Sequence, residues 1–280
     1  MKLDFRFNNN IDLLYGLNYC VNRKNNCLKA YNTKEKTPIV TDFYELFQKE
    51  YSEDIEQVVL GAGEFQNIAI AAMDSTNIDC PSLRDYLERK ESIKKRVIKD
   101  ILQKPGLNQI DFERIKKFYG FDLGDEIIVY LSFFVSGGFG FMYDNKSIIV
   151  LGVKYNSEKD SYGVSGTLVC KLIHEFSHPY IDKTISNLGI FLMENEDTPP
   201  EFYKGNYLEE SLVRVMEIIL SNKIFGEEYE RWAVNEQLRA GFTIVPKMLK
   251  VYYDNARTIE NINDFIWLLI KEKILFINET

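Results

Sequence analysis

The spacing of hydrophobic positions predicts a mostly helical N-terminal portion. Apolar residues recur at helical intervals over 41–51, where Thr41 is a candidate N-cap, and over 82–102 and 111–118. Lys104-Pro105-Gly106 is expected to end the second of these helices. We therefore assign residues 1–120 to a helical portion. No linker marks its boundary, so the alternative that the chain is a single continuous domain stays open.

The pattern changes after residue 120. The segment 126–135, EIIVYLSFFV, is short, β-branched and aromatic, and the apolar runs 139–143 and 147–153 flank the turn dipeptide Asp144-Asn145. These runs predict a small sheet of two or three antiparallel strands. Helical spacing then returns over about 166–178, 207–222, 227–239, 246–255 and 263–275. The fold class is therefore α+β, predominantly helical, with a small antiparallel sheet preceding the helix at 166–178.

That helix carries His174-Glu175-Phe176-Ser177-His178, an instance of H-E-x-x-H. Residues four apart lie on one face of a helix, so the two imidazoles can bind one metal ion. Glu175 can then act as the base toward a zinc-bound water that attacks a polarised carbonyl. The chain has only 2 histidines and both lie in this motif, which argues against chance. The other interpretation is an amphipathic helix whose polar face carries these residues by accident.

The flanking residues agree with a metal-binding helix. One apolar face contains Leu168, Val169, Leu172, Ile173, Phe176 and Tyr180. His174 and His178 lie off that face. Pro179 disfavours helical geometry at the residue before it, so we expect the helix to end at His178.

A catalytic zinc ion usually has three protein ligands, and the third must here be an acid or a cysteine. Cys170 is excluded, because three residues on successive helical turns span about 12 Å. Downstream, the helix that begins at Tyr207 carries two adjacent acids, Glu209 and Glu210. A helical wheel places Glu209 at the edge of the apolar face and slightly prefers it. Glu210 shares a face with Arg214, which is also typical of an exposed ion pair.

HEFSH followed by Glu210-Ser211-Leu212-Val213-Arg214 resembles a family of gluzincin-like zinc metallopeptidase domains. The likeness extends through Gly241-Phe242 and 252–265, and to 11–14 near the start. It implies a zincin-like catalytic domain over 121–280 that binds one Zn²⁺ per chain. In that family a helix glutamate followed by a small residue completes the site, which maps onto Glu210 and leaves Arg214 to orient it.

The resemblance also concerns the substrate. In zincins the strand before the motif helix often pairs with an extended peptide, so 139–143 or 147–153 would offer such an edge. Glycines at 137, 138 and 140 would permit close approach, although a plain hairpin explains them equally well. Tyr180, Tyr252 and Tyr253 are candidates for stabilising an oxyanion.

Composition narrows the partners. The formal net charge is −8 and the basic clusters, 94–96 and 116–117, are short and expected on solvated faces, which disfavours nucleic acid. No apolar run is long enough to cross a membrane, and the N-terminus lacks the layout of a signal peptide, so a cytoplasmic location is expected. The four cysteines, Cys20, Cys27, Cys80 and Cys170, are scattered and predict free thiols.

Together these features predict a zinc-dependent hydrolase of the metallopeptidase type. Its metal ligands are His174, His178 and Glu210, its base is Glu175, and its substrate is a peptide or protein. The alternative is a metal-binding scaffold or regulatory module without catalysis. Two imidazoles and a carboxylate suit zinc and are also compatible with other transition ions.

Overall fold

The computed structural model describes residues 2–24, 37–63, 65–74, 79–121, 126–164, 167–189, 192–193 and 207–277. Over these residues the chain forms eight β-strands and twelve α-helices, so the α+β class is confirmed. The strands are β1 (Lys2–Phe7), β2 (Glu126–Ser132), β3 (Gly138–Tyr143), β4 (Lys146–Gly152), β5 (Lys154–Asn156), β6 (Ser161–Gly163), β7 (Leu192–Met193) and β8 (Phe276–Ile277).

The helices account for most of the described chain. Those before the main sheet are α1 (Asn9–Lys24), α2 (Pro38–Glu50), α3 (Glu53–Ala62), α4 (Phe65–Met73), α5 (Pro81–Glu88), α6 (Glu91–Leu102) and α7 (Phe112–Tyr119). Those after it are α8 (Leu168–Leu188), α9 (Tyr207–Phe225), α10 (Glu227–Arg239), α11 (Val245–Asp254) and α12 (Ile262–Lys271).

The main sheet is mixed, with strand order β1-β2-β4-β3. The β3–β4 pair is the expected antiparallel hairpin, and its turn residues Asp144 and Asn145 both have positive φ. The prediction of a purely antiparallel sheet was wrong, because β4 pairs in parallel with β2, and β2 in parallel with β1. Although β3 precedes β4 in the chain, β4 lies between β2 and β3 in the sheet, and β3 forms the edge.

The burial of the central strands explains the parallel pairing. All but the first residue of β2, and all but the first of β4, are buried. Continuous apolar runs of this kind are typical of parallel strands covered on both faces, whereas half-exposed antiparallel strands alternate. Helix α8 packs on β3 and β4, while α1 lies on the opposite side, where Tyr15 meets Phe139 with ring centroids 6.0 Å apart.

Strand β1 connects the two sides of the predicted domain boundary at residue 120, because it pairs with β2. It was not predicted from the sequence, although Leu3, Phe5 and Phe7 alternate with polar residues. Its six residues pair with β2 from Lys2↔Glu126 to Phe7↔Leu131, so chain on both sides of the division shares one sheet. The division itself stays a prediction.

The N-terminal helices differ in detail from their predicted bounds. Helix α2 begins after Thr37, whose side chain accepts a hydrogen bond from the Val40 amide, so the N-cap is Thr37 and not Thr41. The helix predicted over 82–102 is two helices, α5 and α6. The two lysines Lys94 and Lys116 were expected on solvated faces, but both are buried, at 2% and 7% exposure. The Lys94 ammonium donates to the side chain of Asn9, the first residue of α1.

Helix α8 does not end at His178 but continues through Pro179 to Leu188. Proline lacks the N–H that would bond to the carbonyl four residues earlier, which is that of Glu175. The helix continues because Tyr180, Ile181 and Thr184 are all fully buried beyond the proline. Tertiary packing thus outweighs the local preference. The predicted helix start at 166 lies outside the described residues.

The contact between α8 and β3 is unusually close. A Cβ atom added to Gly140 would lie 1.8 Å from the carbonyl oxygen of Glu175, and one added to Gly138 would lie 2.6 Å from Glu175 Oε1. Only glycine therefore permits β3 to lie against this turn of α8. The spacing positions the edge strand directly beside the motif glutamate.

Of the helices in the described part of the chain, none combines the length and apolarity needed to span a bilayer. The three described cysteines, Cys20, Cys80 and Cys170, are buried free thiols, as expected. Cys27 lies outside the described residues.

The close contact predicts the effect of one methyl group. Gly140→Ala should lower the free energy of unfolding by about 3 kcal/mol, because the added Cβ meets a backbone oxygen that no side-chain rotation can relieve. Urea unfolding followed by circular dichroism measures the change. Gly163→Ala in β6 is the matched control, since its added Cβ has no atom within 4 Å. Equal stability of the two variants would contradict this account.

Candidate metal centre

The site lies between α8 and α9. Helix α8 carries His174 and His178 one turn apart, with ring centroids separated by 5.1 Å. The apolar face predicted for α8 is buried, as the sequence indicated. Both histidines lie beside it and are partly accessible, with side-chain exposures of 12% and 22%. The first turn of α9 supplies Glu209 and Glu210.

The Nε2 atoms of both histidines face the carboxylate of Glu210. His174 Nε2 lies 3.4 Å from Glu210 Oε1, and His178 Nε2 lies 3.5 Å from Glu210 Oε2. Ligand atoms around a tetrahedral zinc ion with bonds of about 2.0–2.1 Å are about 3.3 Å apart. The ligand atoms of these three residues lie within 4.8 Å of one another, so the set has dimensions that fit one ion.

Glu209 occupies a different position. Its Oε1 lies 4.0 Å from His178 Nδ1, the nitrogen on the other side of the ring. Burial and a hydrogen bond with Asp182 raise the pKa of Glu209 to about 8. His178, Asp182 and Glu209 also form a compact group, but it excludes His174. The geometry therefore favours Glu210 as the third ligand of the two-histidine set.

Arg214 holds the Glu210 carboxylate in place. Its Nη2 lies 2.6 Å from Glu210 Oε1, one helical turn away. Its Nη1 donates to Gln237 Oε1 of α10 at 2.7 Å, and its guanidinium lies 4.0 Å from the centre of the Phe242 ring. Contacts to three parts of the chain fix the guanidinium, and the guanidinium in turn fixes the carboxylate.

Glu217 is the functional candidate that sequence reasoning left without a role. Its Oε2 lies 3.0 Å from His174 Nδ1, and its Oε1 accepts a hydrogen bond from the Tyr229 hydroxyl at 3.2 Å. A carboxylate on Nδ1 fixes the tautomer that leaves Nε2 free to bind a metal. Glu217 follows Glu210 by two helical turns, so a shared face was the available sequence signal.

The charges in the site are strongly coupled. Burial works against protonation of His174, but its hydrogen bonds to Glu210 and Glu217 raise its pKa to about 10. Burial opposes ionisation of Glu210, yet His174, Arg214 and His178 together lower its pKa to about 2. Burial and the neighbouring charge of His174 lower the pKa of His178. Glu210 is thus an ionised carboxylate at neutral pH, as a metal ligand must be, whereas a metal ion at His174 would have to displace the proton on Nε2.

Glu175 lies between the ligand set and the edge strand, within reach of the charges of His174 and Glu210. Its side chain is 7% exposed, and its Oε1 lies next to Gly138 of β3. Burial raises its pKa to about 7, with His174 acting in the opposite direction. A carboxylate with a pKa near neutrality is suited to accepting and returning a proton.

The other residues singled out in the sequence lie elsewhere. Tyr180 is fully buried and stacks on Tyr119, with centroids 4.8 Å apart. Tyr253 donates to Glu230, and Tyr252 lines a separate cavity on the far half of α9. Cys170 is buried, and burial raises the pKa of its thiol, which suits a structural residue and not a ligand.

Comparison of the chain with protein-family models, with curated proteins and with solved structures finds no match.

The ligand assignment predicts which glutamate controls metal content. Glu210→Ala should purify with almost no zinc, because the remaining two imidazoles bind far more weakly than a three-ligand set. Glu209→Ala should retain about one zinc per chain. Inductively coupled plasma mass spectrometry on chelator-free protein measures both. The reverse pattern would exchange the roles of the two acids.

The Glu217 contact predicts a smaller effect. Glu217→Ala should weaken zinc binding about 10- to 100-fold, because His174 loses the acceptor that orients its ring. Competition with a chromogenic chelator gives the affinity. Glu236→Ala removes an acid that pairs with Arg239 on the surface and should leave affinity unchanged. Equal affinities in the two variants would show that Glu217 does not orient the ligand.

Proposed function

We propose that the chain is a zinc-dependent hydrolase of the metallopeptidase type, in which His174, His178 and Glu210 hold the metal. The observation that carries the proposal is the convergence of both Nε2 atoms on the Glu210 carboxylate at tetrahedral ligand distances. This convergence brings together side chains from two helices, α8 and α9, so the H-E-x-x-H pattern within α8 does not produce it by itself.

The residues around the proposed ligands would act as the base and as positioning residues. A zinc ion bound there would act as a Lewis acid that polarises a carbonyl group and acidifies water. Glu175 would accept the proton of the attacking water and return it to the leaving amine, a role that its position between the ligand-bearing helix and Gly138 of β3 suits. Glu217 and Arg214 hold His174 and Glu210 so that neither ligand has to reorient.

The edge strand supports a peptide as the substrate. Strand β3 pairs with β4 on one side only within the described strands, so its other backbone edge can pair with an extended chain. Gly138 and Glu175 are adjacent, so a peptide on that edge would pass close to the proposed base. Of the two strands that the sequence offered for this role, β4 is central and β3 remains.

A zincin-like arrangement is part of the proposal. An antiparallel edge strand lies against a helix with H-E-x-x-H, and a second helix supplies the third ligand. A non-catalytic metal-binding scaffold would need the ligands but not Glu175. Burying a carboxyl group costs free energy that metal binding alone would not require. Glu175 is buried and lies beside β3, the edge strand of the sheet. This placement favours catalysis over the scaffold.

The proposed base can be tested without disturbing the metal. Glu175→Gln should keep about one zinc per chain, since Glu175 is not a ligand, while hydrolysis of a fluorogenic peptide library falls by about 10²–10⁴-fold. The amide has nearly the same shape as the carboxyl group and cannot take up the proton. Cleavage rates and zinc content are measured on the same preparation.

A matched variant separates this loss from damage to the fold. Glu158→Gln changes the same charge on an exposed turn and should keep full activity. If Glu175→Gln cleaves as fast as the parent, Glu175 is not the base. If the zinc-loaded parent cleaves no peptide, the scaffold function is the better description.

A further inference from the structure

A second cavity lies at the other end of α9 from the metal centre. It has a volume of about 370 Å³ and lies between α7, α9, α11 and the turn that follows α11. Lys223 of this cavity and Glu210 of the metal centre are separated by about 20 Å of helix at 1.5 Å per residue. The two sites are therefore distinct.

Three cations line this cavity. Arg114 and Lys117 come from α7, and Lys223 comes from α9. None of the three has an ion-pair partner within the described residues. Glu260 is the one acid in the lining, while Asp111 lies in an adjoining cavity of about 230 Å³ that shares Arg114 and Lys223.

The positive side chains of this cavity repel one another. Burial, and after it the charge of Arg114, lower the pKa of Lys223, while the charge of Asp111 acts in the opposite direction. The two positive groups are therefore close enough to repel, and Asp111 offsets only part of that repulsion. The whole chain carries a formal charge of −8, so a cationic cavity is a local exception to its surface. An anion between Arg114 and Lys223 would remove the repulsion and gain charge-assisted hydrogen bonds from both.

The rest of the lining is apolar. Met216, Ile219 and Leu220 of α9 are buried and form its floor, and Phe118 and Tyr252 supply aromatic walls. An inorganic ion would leave this surface uncovered, whereas an organic ligand would cover it. The volume is within the range of small-molecule sites, which begins at about 300 Å³.

We propose that this cavity binds a small organic anion, with its carboxylate, sulfonate or phosphate group between Arg114 and Lys223 and an aromatic or branched apolar body over Met216, Ile219 and Leu220. Binding requires no metal. It is an activity separate from the proposed hydrolysis.

The proposal is tested with two fluorescent probes that share one apolar body. The anionic probe 8-anilinonaphthalene-1-sulfonate should bind metal-free protein at one site per chain, with a dissociation constant of tens of micromolar. N-phenyl-1-naphthylamine, which lacks the sulfonate, should bind at least about 10-fold more weakly. The protein is treated with a chelator beforehand, so that the sulfonate cannot bind zinc at the metal centre.

Variants locate the site. Arg114→Gln and Lys223→Gln should each weaken the anionic probe about fivefold or more, and Ala256→Trp should block it by filling the cavity that Ala256 lines. Lys250→Gln removes the same charge from α11 outside the cavity, where Lys250 pairs with Asp254, and should change nothing. Equal binding of the two probes, or unchanged binding in both glutamine variants at the cavity, would overturn the proposal.

Discussion

The structure depends on the approach of β3 to α8 at a distance that only glycine allows. At Gly138 and Gly140 the strand has no side chain between its backbone and the turn of helix that contains Glu175. Pro179 contributes to the same contact from the helix side, because the Glu175 carbonyl has no helical N–H to meet. One close contact thereby sets where the sheet edge, the proposed base and the two imidazoles lie relative to one another. Helix α9 then has a fixed surface against which to present its carboxylate.

The portion of the site that the sequence predicts is the part built within one helix. His174, Glu175 and His178 are related by helical geometry alone, so their spacing was enough to place them together. The choice between Glu209 and Glu210 was different, because it depends on how α9 is rotated against α8. A helical wheel describes one helix by itself and preferred Glu209, while packing turns Glu210 toward both Nε2 atoms.

The fold was predictable to a similar extent. Helices α9 and α10 and the β3–β4 hairpin were close to their predicted positions, since periodicity and a turn dipeptide are local signals. Parallel pairing joins strands that are far apart in sequence, and no local signal names the partner, so β1 and the insertion of β4 beside β2 were missed. At Pro179 a local signal was present but did not decide the structure. Proline disfavours a continuing helix, yet buried residues beyond it keep α8 helical to Leu188.

The placement of the proposed ligands on two helices has a consequence for the whole molecule. His178 and Glu210 come from opposite ends of a chain segment that closes into a loop when they share an ion, and closing a long loop reduces the conformational entropy of the unfolded chain. The described cysteines are free thiols, so within the described residues no covalent bond performs that closure. An ion held here is thus a reversible cross-link, comparable with a disulfide but governed by metal concentration instead of redox potential. The protein's resistance to unfolding would accordingly follow the supply of metal around it.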